Sequence, residues 1–292
     1  MDQAEQLRNV IKRHNQINQN TARVITITSG KGGVGKSNLA VNLAVCLRKE
    51  GKRVIIFDAD FGLANVEVMF GAVPEYNLSD FLYRGRDIRD IITPGPMEIG
   101  FISGGSGIIG LNNLSRDQIM YIVSSVNALN ELADFIIIDT GAGISDQVLE
   151  FVTASPEVLL VATPEPSSLT DSYSLLKALY RNPNFTEDGT TIHIVSNRVN
   201  SMDEGRAIYE KVNSVVSQFL HGSLNYLGMI PQDNALDKAV RQQKTVTMCD
   251  PNARSSRAIA NLADNLLNGT QEKPSVRWGI AQMFSSFLSN RK

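Results

Sequence analysis

The chain has 292 residues, with 28 Lys plus Arg against 30 Asp plus Glu, a formal net charge of −2, and 42% apolar and 20% charged residues. This mix excludes a disordered chain, whose weak hydrophobicity could not offset the entropy of folding, and its near-neutral balance argues against nucleic-acid binding over the whole surface. The two cysteines, Cys46 and Cys249, are far apart and form no disulfide framework and no CxxC metal or redox pair, so a reduced, cytosolic compartment is expected.

In chain order, 1–20 is a polar arm with a weak helical stripe at Leu7, Val10 and Ile11. It lacks the basic patch and apolar run of a signal peptide. Short apolar, β-branched runs then alternate with amphipathic stretches. Strands are predicted at 24–28, 54–57, 99–103, 135–139, 158–163, 192–196 and 224–230, and helices at 37–50, 115–132, 167–181 and 203–220, among others. Strands that are apolar on both faces and separated by helices build a parallel sheet covered on both sides. The expectation is one doubly wound α/β domain over 21–268, with a mostly parallel sheet of about seven or eight strands. The longest apolar runs, such as Phe135-Ile136-Ile137-Ile138, fall far short of the roughly 20 residues that cross a bilayer. Residues 269–275 read as a helix stop and polar linker, and 276–292 as an amphipathic helix. In it, Val276, Ile280, Met283, Phe284, Phe287 and Leu288 share one face, Trp278 flanks them, and Arg277, Arg291 and Lys292 are the only charges. Such a segment suits an anionic membrane surface; a terminal helix docked on the domain or a partner is the alternative.

The segment Gly30-Lys31-Gly32-Gly33-Val34-Gly35-Lys36-Ser37 fits GxxxxGK[ST] between a predicted strand and a predicted helix. Its glycines let backbone N–H groups turn onto a phosphate, and the helix from Ser37 points its positive end at the same anion. Lys36 can neutralise the β- and γ-phosphates of ATP, and the Ser37 hydroxyl can ligate Mg²⁺. Lys31 is a second cation in the loop, either a solvated charge or a second phosphate contact. The next strand ends in Asp58-Ala59-Asp60, whose alternate parity lets both carboxylates point into one site. One can hold a Mg²⁺-bound water while the other orients the attacking water. The strand Phe135 to Asp139, followed by Thr140-Gly141-Ala142-Gly143, is Walker B-like: Asp139 would hold Mg²⁺ through water, and the glycines would let the loop move with the γ-phosphate. Asn197-Arg198 and Pro231-Gln232-Asp233 end two further strands, and from composition alone they read as turns.

The KGGVGKS loop resembles the deviant Walker A of the MinD/ParA class of ATPases, and Asp60-Phe61-Gly62-Leu63 fits the DxD-plus-GL pattern of that class. The resemblance implies that Lys31 reaches across a homodimer to the other subunit's ATP. It also implies that Asp60 activates water, that Asp58 supports Mg²⁺, and that Asn197 and Arg198, by side chain, and Pro231 to Asp233, by backbone, hold adenine. Thr163-Pro164-Glu165 with Asp171 resembles the dimer-facing segment, where Glu165 approaches the partner's nucleotide. Residues 2–8 read DQAxxLR, and this arm with the tail resembles the FlhG family of flagellar number and placement regulators. That resemblance implies a slow, dimerising ATPase at the inner face of the cell membrane, attached through 276–292. It implies stimulation of the GTPase FlhF by the arm, with Gln3 near the GTPase nucleotide, and contacts with flagellar basal-body and C-ring proteins. A MinD/ParA-type positioning ATPase for a division site or for DNA is the alternative, although the charge and the lipid-like tail disfavour DNA. An iron–sulfur carrier would need paired cysteines.

Overall fold

The computed structural model describes residues 22–61, 63–105 and 114–269. The expected arm 1–20, residues 270–275 of the linker, the tail 276–292 and Gly62 lie outside the described residues. The strands are β1 (Arg23–Ser29), β2 (Val54–Ala59), β3 (Thr93–Pro94), β4 (Gly100–Ile102), β5 (Phe135–Ala142), β6 (Glu157–Ala162), β7 (Thr191–Val199) and β8 (Asn225–Pro231). The α-helices are α1 (Lys36–Lys49), α2 (Asn65–Phe70), α3 (Leu78–Arg84), α4 (Arg116–Val126), α5 (Asp146–Ala154), α6 (Pro166–Tyr180), α7 (Met202–Leu220), α8 (Asn234–Arg241), α9 (Val246–Cys249) and α10 (Arg254–Asn268). No helix among the described residues is long and apolar enough to cross a membrane.

One sheet of eight strands runs β3-β4-β2-β5-β1-β6-β7-β8. Every neighbouring pair is parallel except β3 with β4. The period of two along each strand sends alternate side chains to opposite layers. Ile25, Ile27, Ile56 and Ile137 pack on one face with Leu39, Leu43 and Leu47 of α1 and Ile259, Leu262 and Leu266 of α10. Ile55, Phe57, Ile136 and Ile138 pack on the other with Phe81 of α3, Ile119 and Ile122 of α4 and Phe151 of α5. Val158, Leu160, Ile192 and Ile194 continue that second layer under α6 and α7. Helix α1 is apolar nearly all round, as a helix sunk in the core must be.

The structure departs from expectation in three places. β5 runs past Asp139 to Ala142, because Ala142 pairs with Ser29 across a register shift and the Gly143 N–H donates to the Ser29 carbonyl at 2.9 Å. Gly141 is therefore a strand residue rather than part of a loop; the chain leaves the sheet at Gly143, where φ is +89. The helix expected to reach 132 stops at Val126 and tightens into a 3-10 turn, Asn127–Leu129. A two-residue antiparallel strand ending in Pro94 closes the sheet edge, where a proline lacks the N–H that another strand could use. The expected stop at 269 holds: α10 ends at Asn268, and Gly269 takes φ +76.

Candidate functional site

The sheet order puts the carboxyl ends of β2, β5 and β1 side by side, and with them Asp58, Asp139 and the Gly30–Ser37 loop. Two glycines are demanded by the packing. A Cβ on Gly30 would overlap the α6 backbone at Asp171 and Ser172. Gly35 holds φ +101, and a Cβ there would run into the Asn197 amide nitrogen. The loop is also tied inward: the Ser29 hydroxyl donates to the Lys31 carbonyl at 2.7 Å, and Asn197 Nδ2 donates to the Val34 carbonyl at 2.7 Å. Gly32, Gly33 and Val34 complete the turn before α1 opens at Lys36 and Ser37.

Lys36 is buried, and burial lowers its ammonium below the usual lysine range while the charges of Asp139 and Asp60 oppose that. Asp139 is fully buried, and among the described residues neither carboxylate oxygen accepts a well-formed hydrogen bond. Burial pushes its carboxyl up to about 7, against the pull of the Ser37 hydroxyl and the Lys36 charge. Asp58 is its in-register neighbour across β2 and β5 and is equally buried. Burial and then the Asp139 charge hold Asp58 well above the carboxylate range. Unlike Asp139, Asp58 is satisfied: Oδ1 accepts the Asp60 N–H and Oδ2 the Val66 N–H, both at 3.1 Å. It therefore braces the turn from β2 into α2.

An unpartnered buried carboxylate beside a serine hydroxyl and a lysine suits a bound divalent cation. Among the described residues, no three His, Cys, Asp or Glu side chains converge to hold a metal by themselves. Magnesium at Asp139 and Ser37 would therefore depend on phosphate oxygens and water to complete its shell. Asp60 is half-buried, and burial raises its carboxyl against the Lys36 charge. Its Oδ2 accepts from Asn65 Nδ2 at 3.1 Å.

The two segments that composition reads as turns come together. Asn197, Arg198, Pro231, Gln232 and Asp233 line one cavity of about 420 Å³ with Gly35 and Asn38 of the loop and α1 and with Leu236, Asp237, Val240 and Arg241 of α8. It opens beside the loop and has room for a base. The side chains on its rim are largely committed. Asn197 braces the loop, and its Oδ1 accepts the Arg198 N–H at 2.9 Å. Asp233 caps α8 through the Ala235 N–H at 3.0 Å and takes the Ser255 N–H and hydroxyl at 2.9 Å, and these donors help hold its carboxyl below the usual range despite burial. Gln232 donates to Asp237 at 3.2 Å. The backbone at 231–233 is engaged as well: the Gln232 N–H donates to the Val199 carbonyl at 2.9 Å, the Gln232 carbonyl accepts from Arg254 Nη2 at 3.1 Å, and the Asp233 carbonyl accepts the Asp237 N–H at 3.2 Å. Lys31 has partners in its own chain: Nζ meets Glu165 Oε2 at 2.5 Å and the Ser167 hydroxyl at 2.8 Å. That hydrogen bond holds the Glu165 carboxyl below its usual range. Asn38, Asn65 and the α8 residues are absent from the sequence reading; the N-cap Asp233 before an amphipathic run is the signal that would have located α8.

A ParA family model, described as NUBPL iron-transfer P-loop NTPase, matches residues 20–267. The chain is 38% identical over 244 residues to the antiactivator FleN of Pseudomonas aeruginosa, an alignment spanning 84% of this chain and 86% of FleN. It is 34% identical over 285 residues to the flagellum site-determining protein YlxH of Helicobacter pylori, spanning 93% and 91% of the two chains. Among solved structures, the septum site-determining protein MinD of Pyrococcus horikoshii, complexed with Mg-ADP, matches the fold with a TM-score of 0.71 at 24% identity, over 85% of this chain and 98% of that one. Matched over residues 20–267 and carrying the phosphate loop and acids described above, the chain belongs to the ParA family of P-loop NTPases, as a MinD-like ATPase.

Proposed function

We propose that the chain is a nucleotide-switched ATPase that sets flagellar number and placement, pairing with a second copy in the ATP state and separating after hydrolysis. Asp139 carries the hydrolytic half: a buried carboxylate that accepts no well-formed hydrogen bond among the described residues, influenced by the Ser37 hydroxyl and the Lys36 charge and in register with Asp58. The flagellar half is supported by two relatives, an antiactivator and a flagellum site-determining protein. In this reading Lys36 and the loop N–H groups take the charge of the β- and γ-phosphates, Ser37 and Asp139 hold the cation with Asp58 behind them, and the cavity from Asn197 to Asp233 takes adenine. The cation neutralises phosphate charge when bound. Asp60 orients the attacking water. The iron transfer named in the family description gains no support from the cysteines: Cys46 is buried, with burial pushing its thiol up to about 11, Cys249 is exposed, and both are free.

Lys31 serves the partner's nucleotide, so its ion pair with Glu165 has to open on pairing. Both side chains are substantially exposed, which makes the pair a weak latch. Glu165→Gln is expected to leave the melting temperature unchanged within about a degree and to raise the dimer fraction in ATP. Light scattering with nucleotide checks this; fewer dimers would show that Glu165 acts on the partner's nucleotide rather than restraining Lys31.

The segment 276–292 attaches the dimer to the inner face of the membrane, two weak anchors gaining from effective concentration. The arm, through Gln3, stimulates FlhF, and basal-body and C-ring proteins are further partners. Flotation with anionic liposomes tests the switch. Binding is expected in ATP, weak binding in ADP, and none once 276–292 is deleted. Equal binding in both nucleotides contradicts the reading.

A further inference from the structure

Asp60 orients water in the reading above, and the inference here rests on that reading. Its two oxygens have unlike surroundings. Oδ2 accepts from Asn65 Nδ2 at 3.1 Å. Oδ1 has no hydrogen-bond partner among the described residues and faces Gly141 of β5, where an added Cβ would lie only 3.3 Å away. Asn65 itself stands on a fixed base. It opens α2, the next N–H, of Val66, is held by Asp58 Oδ2 at 3.1 Å, and Val66 and Phe70 are buried. Asp58 Oδ1 meanwhile holds the Asp60 N–H at 3.1 Å. The Asp60 N–H and the Val66 N–H that follows Asn65 are thus tied to one buried carboxylate, and among the described residues Asn65 supplies the hydrogen bond that restrains the Asp60 side chain.

We propose that Asn65 is a positioning residue for Asp60, clamping Oδ2 so that Oδ1, seated against Gly141 of β5, is held in one orientation toward the water that attacks the γ-phosphate. In the step served, the water oxygen forms a bond to the γ-phosphorus, the bond from that phosphorus to the ADP oxygen breaks, and the water's proton ends on the phosphate product. Asn65 donates a hydrogen bond and transfers no proton. A carboxylate free to swing would orient the water in only a fraction of encounters, and misplacement on the ångström scale lowers rate far more than binding.

The test is phosphate release, fluorescent-ADP binding and thermal melting on the full chain with Mg²⁺, comparing wild type, Asn65→Ala, Gly141→Ala and Asp60→Ala. For Asn65→Ala, kcat is expected to fall about tenfold or more, with KM and ADP affinity within about twofold and an unchanged melting temperature. For Gly141→Ala, several-fold loss with the same split is expected, because the backbone there suits any residue and the added Cβ, 3.3 Å from Asp60 Oδ1, crowds that oxygen out of its seat. Wild-type kcat in Asn65→Ala, or a loss matched by weaker nucleotide binding or lower melting, overturns the assignment of Asn65. Wild-type kcat in Gly141→Ala overturns the role given to the seat of Oδ1 against Gly141. Should Asp60→Ala hydrolyse ATP as fast as wild type, the reading of Asp60 fails and this inference fails with it; slow Asp60→Ala with fast Asn65→Ala removes the inference alone.

Discussion

Asp139→Asn is expected to melt above the wild type without nucleotide at pH 8 and to lose ATP turnover. Burial raises the Asp139 carboxyl from 3.8 to about 7, so the ionised form demanded at pH 8 is held at a cost. A carboxyl whose folded value lies above its unfolded one binds more protons when folded. Its contribution to stability is complete below the unfolded value and disappears as pH rises through about 7. The nucleotide-free wild type should therefore lose stability from mildly acid to neutral pH, and the asparagine variant should lose less. A shift of that size corresponds to roughly 4 kcal/mol at most. Because the cost is shared with Asp58, a gain of about 2 kcal/mol, or roughly 4–8 °C in melting temperature, is the expected scale. Turnover should fall at least about a hundredfold, since a neutral amide cannot match the charge of a bound cation. Melting curves from pH 5 to 9, with and without Mg-ATP, check both halves. A variant that melts lower than wild type at pH 8 would mean that the Asp139 carboxylate is not a stored cost.

Asp60→Ala separates binding from hydrolysis. Asp60 is half-buried, contacts Asn65 and feels the Lys36 charge, and it does not line the cavity that receives the base. Nucleotide affinity should stay within about threefold, while turnover falls by about 10²–10⁴, the usual range for losing a positioned acid–base group. ATP should then persist in the site, and the paired state with it. Stopped-flow binding beside phosphate release measures the split. Matched losses in affinity and turnover would instead make Asp60 a binding residue.

The motifs were legible because they are local. Gly30 to Ser37 is one continuous turn between a strand and a helix, Asp58 and Asp60 stand at and just beyond the end of β2, and Asp139 closes an apolar run in β5, near where an open parallel sheet gathers its ligands. The alternation of apolar strands with amphipathic helices likewise gave the two-sided layers. What remained hidden depends on contacts between segments. That Asp58 and Asp139 share one register follows from β2 lying beside β5, and no residue in either strand announces it. The extension of β5 to Ala142 depends on Ser29 of β1. Helix α2 is a single short stretch, Asn65–Phe70, too brief for a 3.6-residue period to declare itself, so Asn65 carried no signal beyond its type. The resemblance gives Asn197 a role at adenine, and only the structure reveals that its amide also holds the Val34 carbonyl. Lys31 and Glu165 are far apart in sequence and meet because β1 and β6 are adjacent.

The most direct test of the whole account is molecular mass in solution by size exclusion with light scattering, for wild type, Asp60→Ala and Lys31→Ala, each in ATP and in ADP. A doubled mass is expected for Asp60→Ala in ATP, a single mass for all three in ADP, and a single mass for Lys31→Ala in either nucleotide. A mass indifferent to nucleotide, or Lys31→Ala pairing as readily as its parent, would contradict it.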